Sequence, residues 1–105
     1  MITVTFKPET LELEVKGHAH QDEKGKDIVC SAISTLFYAL GQSLLESKTM
    51  LKSNPVIKDK DGDGYIKCKP KKEFEGNIAR TYWTILVGFQ LVADEYKDFV
   101  KFDIE

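Results

Sequence analysis

The apolar residues of this chain change their spacing several times along its length, and the order of those changes restricts the fold more than any other feature. Ile2, Val4 and Phe6 alternate with Thr3, Thr5 and Lys7, the period of a half-buried strand. After Pro8-Glu9-Thr10, Leu11, Leu13 and Val15 alternate with Glu12, Glu14 and Lys16. That predicts a second strand, and a hairpin with one face buried and one wet. From Ile28 the period becomes helical, with Val29, Ile33, Leu36, Phe37, Leu40 and Leu44 on one stripe. Asp27 is the expected N-cap, and the helix is expected to end near Ser47. Asn54-Pro55 resets the chain, and Val56-Ile57 and Tyr65-Ile66-Lys67-Cys68 flank a Gly/Asp turn, which predicts a second hairpin. A second helix is predicted over 76–98, and Phe99 to Ile104 alternates as a final strand. The order ββαββαβ predicts an α+β, two-layer sandwich of a mostly antiparallel sheet and two helices.

At 105 residues the chain is expected to form a single domain over 1–105, since two would each fall near the lower limit for a core. Hydrophobic residues at 42% and charged residues at 30% fit a globule rather than a disordered chain. The 15 Lys+Arg against 17 Asp+Glu give a net charge of -2, which argues against broad nucleic-acid or anionic-membrane binding. The longest apolar run, Ile85-Leu86-Val87-Gly88-Phe89, is far short of a bilayer span, so no membrane partner is expected. The N-terminus lacks the pattern of a secretory signal, and two cysteines 38 positions apart do not make a disulfide scaffold. A reducing, cytoplasmic location is expected. The second helix carries Ile78, Tyr82, Trp83, Ile85, Leu86, Val87, Phe89, Leu91 and Val92, more apolar circumference than one sheet covers. A homodimer is the expected cover.

Chemistry concentrates between Gly17 and Ser34. His18 closes a strand, and Cys30 falls three residues beyond the presumed N-cap, in the first turn of a helix. Unpaired amides and the positive end of the macrodipole favour a thiolate there. An imidazole beside it takes the thiol proton and returns it to a leaving amine. The plainer alternative is a packed cysteine and a polar loop histidine. Ser34 follows Cys30 by one helical turn on the same face. It is either a hydrogen-bond partner for thiolate or substrate carbonyl, or a small residue at a helix–sheet contact. Asp27 reads first as a cap, with a second reading as the group that orients His18. The amides near Cys30 are candidates for part of an oxyanion hole. The polar stretch Ala19–Lys24, between Gly17 and Gly25, reads as a mobile loop, and His20 within it as solvated.

Gly17-His18-Ala19, a glycine-containing loop, and Gly25-Lys26-Asp27-Ile28-Val29-Cys30-Ser31-Ala32-Ile33-Ser34 resemble the signature of the ribosomal-processing cysteine protease family (Prp), with Ser31 in place of the usual alanine. The resemblance implies a cysteine endopeptidase that removes a short N-terminal extension from large-subunit ribosomal protein number twenty-seven. It also implies a two-layer α/β fold and a homodimer; no cofactor is expected. By position, His18 matches the catalytic histidine and Cys30 the nucleophile. Asp27 and Ser34 match further positions near the site, and Gly17 matches the loop hinge.

Two other signals carry less. Asp59-Lys60-Asp61-Gly62-Asp63-Gly64-Tyr65-Ile66 matches the first eight positions of an EF-hand calcium loop. The twelfth position, a bidentate glutamate in such loops, is Pro70, and Asn54-Pro55 spoils an entering helix. Asp-Gly is equally hairpin chemistry, so no metal site is expected. Lys67, Lys69, Lys71 and Lys72 read as the defence of a solvated edge strand, and Cys68 among them as a packed strand residue without zinc-ligand spacing. Two other functional classes remain open from sequence: a non-enzymatic ribosome-associated or calcium-responsive binding module on the same fold, and a thiol enzyme of another acyl transfer.

Overall fold

A computed structural model describes residues 1–17, 26–60 and 62–105, and only the backbone at Lys26 and Asp27. The first hairpin forms as its alternation requires. Strand β1 (Ile2–Lys7) pairs antiparallel with β2 (Glu12–Lys16), from Thr3 opposite Lys16 to Lys7 opposite Glu12. Ile2, Val4, Phe6, Leu13 and Val15 all point into the core. The connecting turn places Leu11 at a φ of 56°, a left-handed conformation that costs a non-glycine residue energy. Leu11 is held there by packing against the core.

Helix α1 (Lys26–Glu46) follows. Its stripe is the predicted one, with Val29, Ile33, Phe37, Leu40 and Leu44 buried and Leu36 partly so. The helix begins at Lys26, so Asp27 is its second residue and not the cap in front of it. Cys30 is accordingly the fifth helical residue, two positions deeper than the predicted start at Ile28 put it. The stretch Ile28–Glu46 has the length and hydropathy of a membrane span, but its apolar stripe is the one that fills this core.

A 3-10 turn over Lys48–Met50 leads to β3 (Val56–Lys60), which pairs antiparallel with β4 (Asp63–Lys67). Lys60 lies opposite Asp63, which leaves two residues between the strands; Gly62, the second, has a φ of 82°. The calcium-loop pattern is therefore a tight hairpin. Asp59, Lys60, Asp63 and Gly64 are ladder residues, incompatible with wrapping a cation in a twelve-residue loop.

After a second 3-10 turn, Lys72–Phe74, helix α2 runs Glu75–Glu95, three residues shorter at its end than predicted, and β5 runs Val100–Ile104. The sheet order is β3-β4-β2-β1-β5. Every pair is antiparallel except β1 and β5, which run parallel from Ile2 opposite Val100 to Phe6 opposite Ile104. This is the predicted α+β order with two helices on one face. The free edges are β3 and β5, so the reading of the lysine run as an edge strand is corrected. Lys67 sits in β4, between β2 and β3, and the other three follow the strand. The helices pack where Gly88 of α2 meets Leu36 of α1; a Cβ at Gly88 would lie 2.6 Å from Leu36 Cδ2. α1 lies under β3 and β4, with Phe37 against Gly64 and Gly41 against Ile57 and Ile66. α2 lies under β1 and β5, with Tyr82 against Phe6 and Phe89 against Phe102.

Candidate active site

Three elements converge at one end of the sheet: the end of β2, the start of β4 and the first turns of α1. Gly17 leaves β2 with a φ of 84°, and a Cβ there would lie 2.6 Å from the carbonyl oxygen of Met1. Both facts require glycine. Its amide donates to Asp63 Oδ1 at 3.4 Å, which ties the end of β2 to the start of β4. Glycine at position 17 therefore has a backbone reason. His18, His20 and the predicted mobile stretch Ala19–Lys24 lie outside the described residues, as does the side chain of Asp27.

Cys30 is half-buried and packs against the core cluster. Residues four apart share a helix face, so Cys30, Ser34 and Tyr38 form one row along α1. Ser34 is half-buried and lines a narrow crevice with Val15, Ile33, Phe37, Tyr38 and Asp59. Ser34 thus sits where α1 meets β2 and β3, with both of its expected roles open to it. Tyr38, 52% exposed, was missed, although the spacing that selects Ser34 from Cys30 selects Tyr38 from Ser34. Asp59 was counted only as a calcium ligand; the crevice places it beside the Cys30 row.

The second cysteine is different in kind. Cys68 is buried and accepts a hydrogen bond from the Tyr82 hydroxyl at 3.5 Å. Burial raises the pKa of its thiol above the usual value, and burial likewise raises that of Tyr82. Such a thiol is inert. It walls a cleft of about 440 Å³ at the far end of the sheet, with the turn over Pro8–Leu11 and Lys52, Lys67 and Lys69. On the face of the sheet away from the helices, Tyr65 donates to Glu12 Oε2 at 2.7 Å. The Tyr65 pKa is pushed up to about 12 chiefly by that bond. Glu12 is held below the usual carboxylate range, first by the Thr10 hydroxyl and then by Tyr65. Among the described residues no group of three or more His, Cys, Asp or Glu gathers to hold a metal ion.

Residues 1–101 match the family model described as cysteine protease Prp. The ribosomal processing cysteine protease Prp of Staphylococcus aureus is 23% identical over 100 residues, which cover 95% of this chain and 92% of that one. A crystal structure of Prp from S. aureus with a covalently linked product peptide superposes with a TM-score of 0.76 at 22% identity, covering all of both chains. The crystal structure of SMU.848 from Streptococcus mutans superposes with a TM-score of 0.70 at 28% identity, covering 98% of this chain and 90% of that one.

Proposed function

Because the chain belongs to the family of cysteine protease Prp, we propose that Cys30 and His18 perform its peptide hydrolysis, and that its substrate is the N-terminal extension of large-subunit ribosomal protein number twenty-seven. The observation that carries the reading is the half-buried position of Cys30 at the fifth residue of α1, close to the helix N-terminus. The name of the S. aureus relative supports ribosomal processing, and the bound peptides of its structures support a peptide as substrate.

The thiolate of Cys30 attacks the scissile carbonyl carbon, and the carbonyl π electrons move to oxygen. The amides of the first turn of α1, which have no intrahelical acceptor, face that oxyanion. The tetrahedral species collapses with loss of the C–N bond, and His18 gives its proton to the departing amine. Water then attacks the thioester, with His18 taking its proton, and thiolate leaves. The macrodipole's field falls off within the first turn. At the fifth helical residue Cys30 is at its margin, so His18 carries more of the activation than a first-turn position would require.

Incubation with the N-terminal peptide of the ribosomal protein, read by mass spectrometry, is expected to give one defined cut that Cys30→Ala and His18→Ala both abolish. Cutting by Cys30→Ala refutes the mechanism. Rapid alkylation of Cys30 without cleavage of the peptide refutes the substrate assignment alone.

The same reading includes a homodimer and a cytoplasmic location. Supporting the dimer, Trp83, Val87, Leu91 and Ile104 leave about half of their surface exposed, beside clefts of about 180 and 240 Å³ between α2 and β5. A patch of this kind marks an interaction surface. Sedimentation at micromolar concentration is expected to show a dimer. Supporting the location, the sequence holds two cysteines, too few for a disulfide scaffold.

A further inference from the structure

The register of β3 separates its charges onto two faces. Val15, Gly64 and Asp59 stand in one row across β2, β4 and β3. Val15 in that row is a core residue, so Asp59 lies on the helix side of the sheet. Ile57, two residues earlier on the same face, is partly buried against the core. The lysines on either side of Asp59 belong to the other face. Lys58 Nζ lies 5.9 Å from the centre of the Tyr65 ring, and Lys58 and Lys60 line a cleft there with Glu14 and Lys16. Among the described residues no ion pair engages Asp59, and it is exposed. Its neighbours on α1 are Ser34 and Tyr38, the continuation of the Cys30 row.

We propose that Asp59 is a specificity-determining residue, taking the cationic side chain of a lysine or arginine near the scissile bond; this rests on Cys30 being the nucleophile. The crevice beside it is about 10 Å³, room for little more than a water, so a peptide lies over it and not in it. Cys30 and Ser34 are about 6 Å apart along the helix axis, and an extended peptide advances about 3.3 Å per residue. The side chain that reaches Asp59 therefore belongs to a residue about two positions from the cut bond. The exposed ring of Tyr38 accepts the aliphatic stem and adds cation–π attraction. β3 is a free edge, so its outward N–H and C=O groups are open to an extended backbone.

The test is a peptide series with Lys, Gln or Glu at each of the three positions on either side of the bond. Wild type is expected to prefer Lys over Glu at one of them by roughly two- to five-fold in kcat/KM, the range of a single exposed ion pair, and less at high salt. Asp59→Asn is expected to erase the preference and Asp59→Lys to invert it, each read as the ratio of the Lys to the Glu peptide within one protein, with Cys30→Ala as the blank. If the Asp59 variants rank the charged peptides as wild type does, the assignment is overturned and the protease reading stands. If wild type cuts none of the peptides, the protease reading fails and the assignment fails with it.

Discussion

Replacing Gly64 by alanine tests the central packing contact of the structure. Gly64 is a buried residue in β4, between Val15 and Asp59. A Cβ there would lie 2.6 Å from Phe37 Cε1, 2.8 Å from Cζ and 3.1 Å from Cδ1. All three atoms belong to one rigid ring, so no flexible end yields. Phe37 is itself 4% exposed and stacks edge-on against Tyr38 at 5.5 Å, so the ring moves only by pushing α1 from the sheet. Overpacking of this kind costs about 1–3 kcal/mol. The loss of unfolded-state freedom on Gly→Ala returns about 0.4–1 kcal/mol, which leaves a net loss of about 1–2 kcal/mol. With a urea m-value of about 2 kcal/mol/M, that lowers the midpoint by roughly 0.5–1 M. Equilibrium unfolding in urea, followed by Trp83 fluorescence, measures it. The same substitution in a Phe37→Leu background is expected to cost markedly less, a coupling of at least about 0.5 kcal/mol. A Gly64→Ala protein as stable as wild type, or one equally destabilised in both backgrounds, would refute the reasoning.

Gly17→Ala is expected to lower both stability and peptide cleavage, since it demands a positive φ and a 2.6 Å approach to the Met1 carbonyl; calorimetry and the cleavage assay read the two effects. Cys68→Ala is expected to retain cleavage, and Cys68 to resist iodoacetamide in the folded protein while Cys30 labels, as residue-resolved mass spectrometry would show. Stability is expected to fall at alkaline pH. Cys68, Tyr82 and Tyr65 have raised pKa values in the fold, so their contribution is complete below their unfolded values, about 8.5 for cysteine and 10 for tyrosine, and is lost as pH rises, for Tyr65 towards about 12. Thermal melts from pH 7 to 11 measure this, and an unchanged melting temperature would contradict it. Leu91→Asp is expected to yield monomers by sedimentation without loss of secondary structure.

What was legible in the sequence was set by local periodicity. Alternation named β1 and β2, and the stripe from Val29 to Leu44 named α1. Spacing of four placed Ser34 beside Cys30. Pairing across the chain was not legible, because alternation in Phe99–Ile104 says that a strand exists and not which strand it joins. Its parallel partnership with β1 follows from tertiary packing of α2 against β5. Gly64 was matched as the turn glycine of a calcium loop, yet the ring of Phe37 is what requires it, 27 positions away in sequence and on another element. Asp59 was lost for the same reason, since its position depends on the β3–β4 register and on the rotation of α1. The start of α1 was misplaced because Asp27 has cap chemistry, while the helix begins at Lys26, two residues before the predicted start at Ile28.

The parallel contact of β1 and β5 bears on how the chain folds. β1 is made first and finds β2 through a short turn, but its other flank waits for the last strand of the chain. Until then the growing chain displays an open, apolar-backed edge of the kind that recruits foreign strands. Closing it ties the two ends of almost the whole chain together, the most entropically costly loop in the molecule. Assembly is therefore slow relative to the helices and both hairpins, and truncations that remove β5 convert the centre of the sheet into an adhesive margin.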